Sequence, residues 1–142
     1  MNNNFSLRQN MQIPQKRAYV GLEFGNNLDE EIEELSKHYE IHNIHQVKDF
    51  IRKNEDLVEY IKSITPIIDK HFPDNKKCLT FCEDSEFEEL DDITIFISCF
   101  KADFDRDWKQ LDVLEKELCY LDGFSTKLKG LISVDLWVEK YF

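Results

Sequence analysis

Apolar and polar positions follow two different rhythms along this chain. The clearest two-residue alternation runs from Ile93 to Phe100. Ile93, Ile95, Ile97 and Cys99 fall on one side, and Thr94, Phe96, Ser98 and Phe100 on the other. Such a period predicts a half-buried β-strand. Shorter alternations predict strands at Cys78–Cys82, with Leu79 and Phe81 on one face, and at Leu131–Val138, with Ile132, Val134, Leu136 and Val138 on one face. The stretch Arg17–Gly25 alternates as well and reads as a further, N-terminal strand.

Between these lie helical spacings. Leu28, Ile32, Leu35 and Tyr39 mark an acidic helix over 28–39. Asn43 is placed to cap a helix carrying Ile44, Val47, Phe50 and Ile51, and Asn54 to cap a longer one carrying Leu57, Val58, Ile61, Ile64, Ile68 and Phe72. Pro66 predicts a kink or break near Thr65. Phe104, Trp108, Leu111, Leu114, Leu118 and Leu121 form the stripe of a last helix, which Asp122-Gly123 stops.

The order predicts a two-layer α+β fold. Strands 78–82 and 93–100 are expected to pair antiparallel, and the helix over 103–121 makes strand 131–138 parallel to 93–100. The expected sheet is small and antiparallel, ordered 93–100, 78–82, 131–138, with helices on one face and an additional N-terminal strand open to it. Residues 1–16 read as a flexible arm and 17–142 as one domain.

Composition narrows the function classes. The 142 residues carry 18 Lys+Arg against 29 Asp+Glu, a formal charge of −11. That balance opposes direct binding of nucleic acid or of an anionic membrane, because both select basic surfaces. The charge is also uneven. Residues 1–22 hold Arg8, Lys16 and Arg17 with no acid, while seven of the ten residues in 83–92 are acidic. No apolar run is long enough to span a bilayer, and the first residues lack the apolar region of a signal peptide. A cytoplasmic location with Cys78, Cys82, Cys99 and Cys119 as reduced thiols is therefore expected.

The stretch Val47–Val138 resembles a small uncharacterised prokaryotic family. The resemblance rests on Val47-Lys48-Asp49-Phe50-Ile51, Asn54 with Leu57, Phe72-Pro73, Leu79 to Glu86, Ile93 to Ile97, and Gly130 to Leu136. It implies an α+β fold, matches Asp84 and Glu86 to the family's acidic pair, and brings no activity with it.

Two constellations could carry function. The acidic segment 83–92 contributes Asp84, Glu86, Glu88, Glu89, Asp91 and Asp92. Carboxylates near strand ends can hold Mg²⁺ or Mn²⁺ for phosphate-ester chemistry. These acids are consecutive and loop-borne, however, and no phosphate-binding loop accompanies them, so a charged docking surface is the stronger expectation. His38, His42 and His45 could share a helical face for zinc, but Asn43 interrupts it. The second constellation follows from strand parity. With the aliphatics packed under helices, Phe96, Phe100 and Trp137 lie on the opposite face. Such a face is expected to be covered by the strand 17–25 with helix 28–39, by a second copy in a homodimer, or by a heterologous partner or small ligand. The function expected is a protein-interaction module that binds a basic, nucleic-acid-acting protein, antitoxin-like or inhibitor-like. A Mg/Mn-dependent enzyme acting through 83–92 is the alternative, and no resident cofactor is implied.

Overall fold

Three of the four alternating stretches become strands in the computed structural model, which describes residues 20–139. The predicted arm over 1–16 lies outside the described residues. The chain divides into two compact units, Met1–Glu33 and Glu34–Phe142. In the first, the described segment belongs to helix α1, Val20–Leu35. The strand expected at Arg17–Gly25 is therefore helical from Val20 onward. Val20, Phe24, Leu28, Ile32 and Leu35 repeat every three or four residues, and this longer helical period overrides the short alternation.

The second unit follows the order β1 (Glu40–His42), α2 (Ile44–Lys53), α3 (Leu57–His71), β2 (Lys77–Cys82), β3 (Asp92–Phe100), α4 (Phe104–Cys119), α5 (Thr126–Lys129) and β4 (Ile132–Glu139). Single 3-10 turns at Glu88–Leu90 and Lys101–Asp103 flank β3. The architecture is α+β, as the pattern predicts. The strand order is not the expected one: the sheet runs β1-β2-β3-β4. It is mixed, with β1 parallel to β2, β2 antiparallel to β3 and β3 parallel to β4. The parallel relation of β3 and β4 holds, but β4 pairs with β3 itself rather than with β2. The reason is β1, a three-residue strand too short and polar to stand out, which occupies the free edge of β2 through Glu40↔Cys78 to His42↔Thr80.

Each parallel pair is joined through helices, β1–α2–α3–β2 and β3–α4–α5–β4. The helical layer lies on the face that carries Leu79, Ile93, Ile95 and Ile97, all fully buried. In that layer α2 lies against β2, α4 against β3 and β4, and α3 against α4 and α5. The two crossovers advance the same way across the sheet from oppositely directed strands, so placing both on one face gives them opposite hands. One of them thus departs from the usual right-handed preference.

Pro66 does not break α3, which runs unbroken from Leu57 to His71. A helix-interior proline costs ~3 kcal/mol. Against it stand Leu57, Ile61, Ile64 and Ile68, all fully buried, and each such side chain contributes about 1.5–3 kcal/mol. Burial wins. Asn43 stands at the N-cap of α2 as expected but makes no side-chain cap bond, and Asn54 does not cap α3. Asn43 takes the left-handed conformation that asparagine tolerates, and its Nδ2 donates to Thr80 Oγ1 at 3.1 Å. Asn54 closes α2 instead, donating to the Phe50 carbonyl at 2.8 Å, and Asp56 precedes α3 with φ 71°.

A buried relay ties the start of this unit to α3. Thr65 Oγ1 donates to the Ile61 carbonyl at 2.7 Å, so it accepts the Tyr39 hydroxyl proton at 2.8 Å. Burial is the main cause that pushes the Tyr39 phenol from 10.0 up to about 12. A raised value means that the neutral phenol supports the fold. This contribution is complete below pH 10 and is lost as pH rises toward about 12. Tyr39→Phe should remove this alkaline step and cost about 1 kcal/mol at neutral pH, read by denaturant unfolding at a series of pH values. An unchanged alkaline profile would contradict the relay.

Candidate functional site

The face of the sheet away from the helices is built by the same parity that builds the core. Residues paired across β2, β3 and β4 alternate together: Ile95 sits between Leu79 and Val134, whereas Phe96 sits between Cys78 and Asp135. The outer face therefore presents Cys78, Thr80, Thr94, Phe96, Ser98, Phe100, Asp135 and Trp137. Trp137 is 55% exposed and Phe100 47%. Trp137 lies opposite Ser98, one diagonal step from Phe96. The Phe96 and Trp137 rings meet edge to face, with centroids 6.2 Å apart at 72°, a favourable quadrupole arrangement.

These rings wall a hollow of about 440 Å³ to which all four strands contribute. Glu40 and His42 come from β1, Cys78 from β2, Ser98 from β3 and Glu139 from β4, with Lys76 at the rim. The His42 Nε2 stands 3.7 Å from Glu40 Oε2. The Cys78 thiol is pushed up by burial and then by the Glu40 charge, so it is not an activated nucleophile. The hollow sets Cys78, Phe96 and Trp137 beside two acids, Glu40 and Glu139, and beside His42 and Lys76, a shape that receives a side chain or a short segment. Sequence reasoning missed the β1 contribution, because Glu40-Ile41-His42 shows too brief an alternation to identify a strand.

The acidic residues lie elsewhere. Asp92 opens β3 and Phe100 closes it, so the acidic loop and Phe100 are separated by roughly 26 Å of strand. The structure thus brings Phe96 and Trp137 together and sets Phe100 on the same face, but places Asp84, Glu86, Glu88, Glu89, Asp91 and Asp92 around the opposite end. Three of those acids hold the loop's own shape. Asp84 Oδ2 accepts from the Phe87 and Glu86 amides at 2.8 and 3.0 Å, and the Asp84 amide donates to Asp91 Oδ1 at 2.7 Å. Asp92 accepts from Thr94 Oγ1 and from Ser133 Oγ, pinning the start of β3 to β4. Glu86, Glu88 and Glu89 remain exposed. Beside them stand Phe87 and Leu90, 50% and 59% exposed. A second hollow of about 430 Å³ sets Glu88, Glu89 and Asp91 near Lys53 and Lys127, over the Phe50–Phe81 ring pair.

The other chemical candidates separate in space. His38 follows α1, His42 is on β1 and His45 is in α2, so the three do not share a helical face. His71, which no sequence pattern singled out, has both ring nitrogens engaged. Nε2 faces Glu117 Oε1 at 2.7 Å and Nδ1 faces the Gln110 amide. Lys70 also bonds Glu117, and hydrogen bonds from Lys70 and then His71 hold this carboxyl below the usual range. With no free nitrogen, this histidine is a strut between α3 and α4. Among the described residues, no group of three or more His, Cys, Asp or Glu is arranged to hold a metal ion. Cys78 and Cys99 are buried, Cys82 is half-buried and Cys119 is exposed, all as free thiols. Among the described residues, no helix is long and apolar enough to cross a membrane.

The loop geometry has a pH signature. The Phe87 and then the Glu86 amide bonds hold the Asp84 carboxyl below its usual 3.8. A depressed value means that the ionised form supports the loop, so this support is present above the ordinary value and fades as pH falls through the lowered one. Carboxyl NMR titration should find Asp84 below its usual 3.8. Asp84→Ala should speed amide exchange at Glu86 and Phe87, and unchanged exchange would refute the closure. Comparison of the chain with protein-family models, curated proteins and solved structures finds no match in any of the three, so the resemblance over Val47–Val138 adds nothing to the site.

Proposed function

We propose that this protein is an acidic interaction module that docks a basic protein partner on the outer face of its sheet. The observation that carries this reading is the aromatic pair Phe96–Trp137, which no other described residue covers, over a hollow lined also by Glu40, His42, Lys76 and Glu139. Exposed aromatics at the centre of a shaped patch are the residues that dominate binding energy, whereas scattered surface carboxylates mainly affect the encounter rate. The two predicted constellations then have separate tasks. Phe96, Phe100 and Trp137 supply contact, and Glu86, Glu88 and Glu89, displaced toward the other end of the sheet, steer a positive partner by long-range attraction.

A nucleic-acid-acting protein is the partner class that best complements a charge of −11, in the manner of an antitoxin or inhibitor. The reading takes the cytoplasm as the working location, which suits four free thiols. The phosphate-ester alternative requires converging ligands. Asp84, Asp91 and Asp92 are instead committed to loop bonds, so no observation favours it.

The test compares three chains against a basic partner captured from native lysate and then purified. Phe96→Ala with Trp137→Ala should weaken binding by about 2 kcal/mol or more through faster dissociation. Reversal of Glu86, Glu88 and Glu89 to Lys should slow association and flatten its salt dependence while leaving dissociation nearly unchanged. Full affinity in the aromatic double variant contradicts the proposal. So does a wild-type homodimer that this variant converts to monomer, because the face is then a self-contact.

A further inference from the structure

The two edges of the sheet differ in length. β1, at one edge, has three residues, whereas β4, at the other, has eight. Among the described residues, the strand that pairs with β4 is β3, and none lies along its other side. One bond fixes the direction of the β4 backbone groups: the Ile93 amide donates to the Leu131 carbonyl at 3.0 Å, so Leu131 faces β3. Backbone groups alternate in side along a strand. Ser133, Asp135, Trp137 and Glu139 therefore turn theirs to β3, and Ile132, Val134, Leu136 and Val138 turn theirs outward. The Leu136 amide agrees with this parity. It donates to Asp135 Oδ1 at 2.8 Å, where the carbonyl of a neighbouring strand would otherwise lie.

Long edges are usually blunted by proline, lysine, a bulge or a covering element. Ile132–Glu139 holds neither proline nor a basic residue, and it pairs with β3 in unbroken register. The Asp135 carboxylate guards a single amide. The helical cover also thins at this side of the sheet. Ile93, Ile95 and Ile97 of β3 are fully buried, whereas Ile132, Val134, Leu136 and Val138 on the same face are only half-buried. An apolar row thus runs beside the open edge. On the outer face the same strand presents Asp135, Trp137 and Glu139, and the last two also line the aromatic hollow.

We infer that an extended segment of the basic partner adds to β4 as a fifth strand, alternating apolar with basic residues. The partner's basic character rests on the proposed function, while the open edge rests on backbone geometry alone. An added strand continues the pleat, so its side chains alternate between the faces in step with β4. Those on the helix side extend the aliphatic row and are apolar. Those on the outer face fall beside Asp135, Trp137 and Glu139, where a lysine or arginine meets two carboxylates and an indole ring. Asp135 couples the two contacts. A cation that draws its carboxylate from the Leu136 amide frees that donor for the incoming backbone. A second copy of this chain fits less well, because its own β4 would bring another Asp135 and Glu139 to the same edge.

The experiment titrates the full chain with a capped peptide of alternating valine and lysine as long as β4, followed by amide NMR and hydrogen exchange. Two controls run at the same ionic strength: the valine–glutamate counterpart, and the valine–lysine peptide N-methylated throughout, which keeps its charge but donates no backbone bond. The valine–lysine peptide alone should give saturable shifts along β4 and slow exchange at Ile132, Val134, Leu136 and Val138. Val134→Pro removes an outward amide without touching the β3 ladder, and should weaken this binding about tenfold or more. Val138→Pro does the same at a second position. Phe96→Ala, on β3, should leave peptide affinity within about twofold, so a failed edge and a failed aromatic face give different results. Shifts confined to segment 83–92, equal binding of either control, or full affinity in both proline variants overturns the inference. So does a wild-type dimer whose outward β4 amides are already protected, because a second copy then holds the edge.

Discussion

Alternate residues of a β-strand must face opposite ways, and in this protein the nine residues of β3 apply that constraint to everything around them. Ile93, Ile95 and Ile97 are fully buried under the helical layer. The intervening Thr94, Phe96 and Ser98 therefore lie on the other face. Because β3 pairs with both β2 and β4, its parity sets theirs, and the core and the candidate docking face are two sides of one decision. A one-residue slip in this register would expose three isoleucines and bury the aromatic pair.

This dependence explains which parts of the fold were legible. The period of two was strong in Ile93–Phe100 and Ile132–Val138, so the strands, their faces and the placement of Phe96 and Trp137 could be read directly. Sheet order could not, because it turned on Glu40–His42, three residues with one apolar member. The same weakness hid Glu40 and His42 as walls of the hollow. At Val20–Gly25 the error ran the other way, where a short alternation masked a helical repeat continuing to Leu35. Pro66 shows a local rule overridden by tertiary burial, since four aliphatics of α3 outweigh one lost bond.

The acidic segment changed meaning most. Its sequence density suggested a concentrated acidic pole that serves as a charged docking surface. In the fold, Asp84, Asp91 and Asp92 are structural acceptors and the loop lies at the far end of β3. Along α4 the apolar stripe was read with Trp108 in the layer that Asp107 occupies in the fold.

The central claim is that the outer face of the sheet is open in the free protein and holds the contact residues. Acrylamide quenching of Trp137 fluorescence, in the full chain carrying Trp108→Phe as the sole change, tests this most directly. The account predicts quenching close to that of a solvent-exposed tryptophan in the isolated chain, with protection on addition of a basic partner. A Trp137 already shielded in the isolated monomer would contradict it.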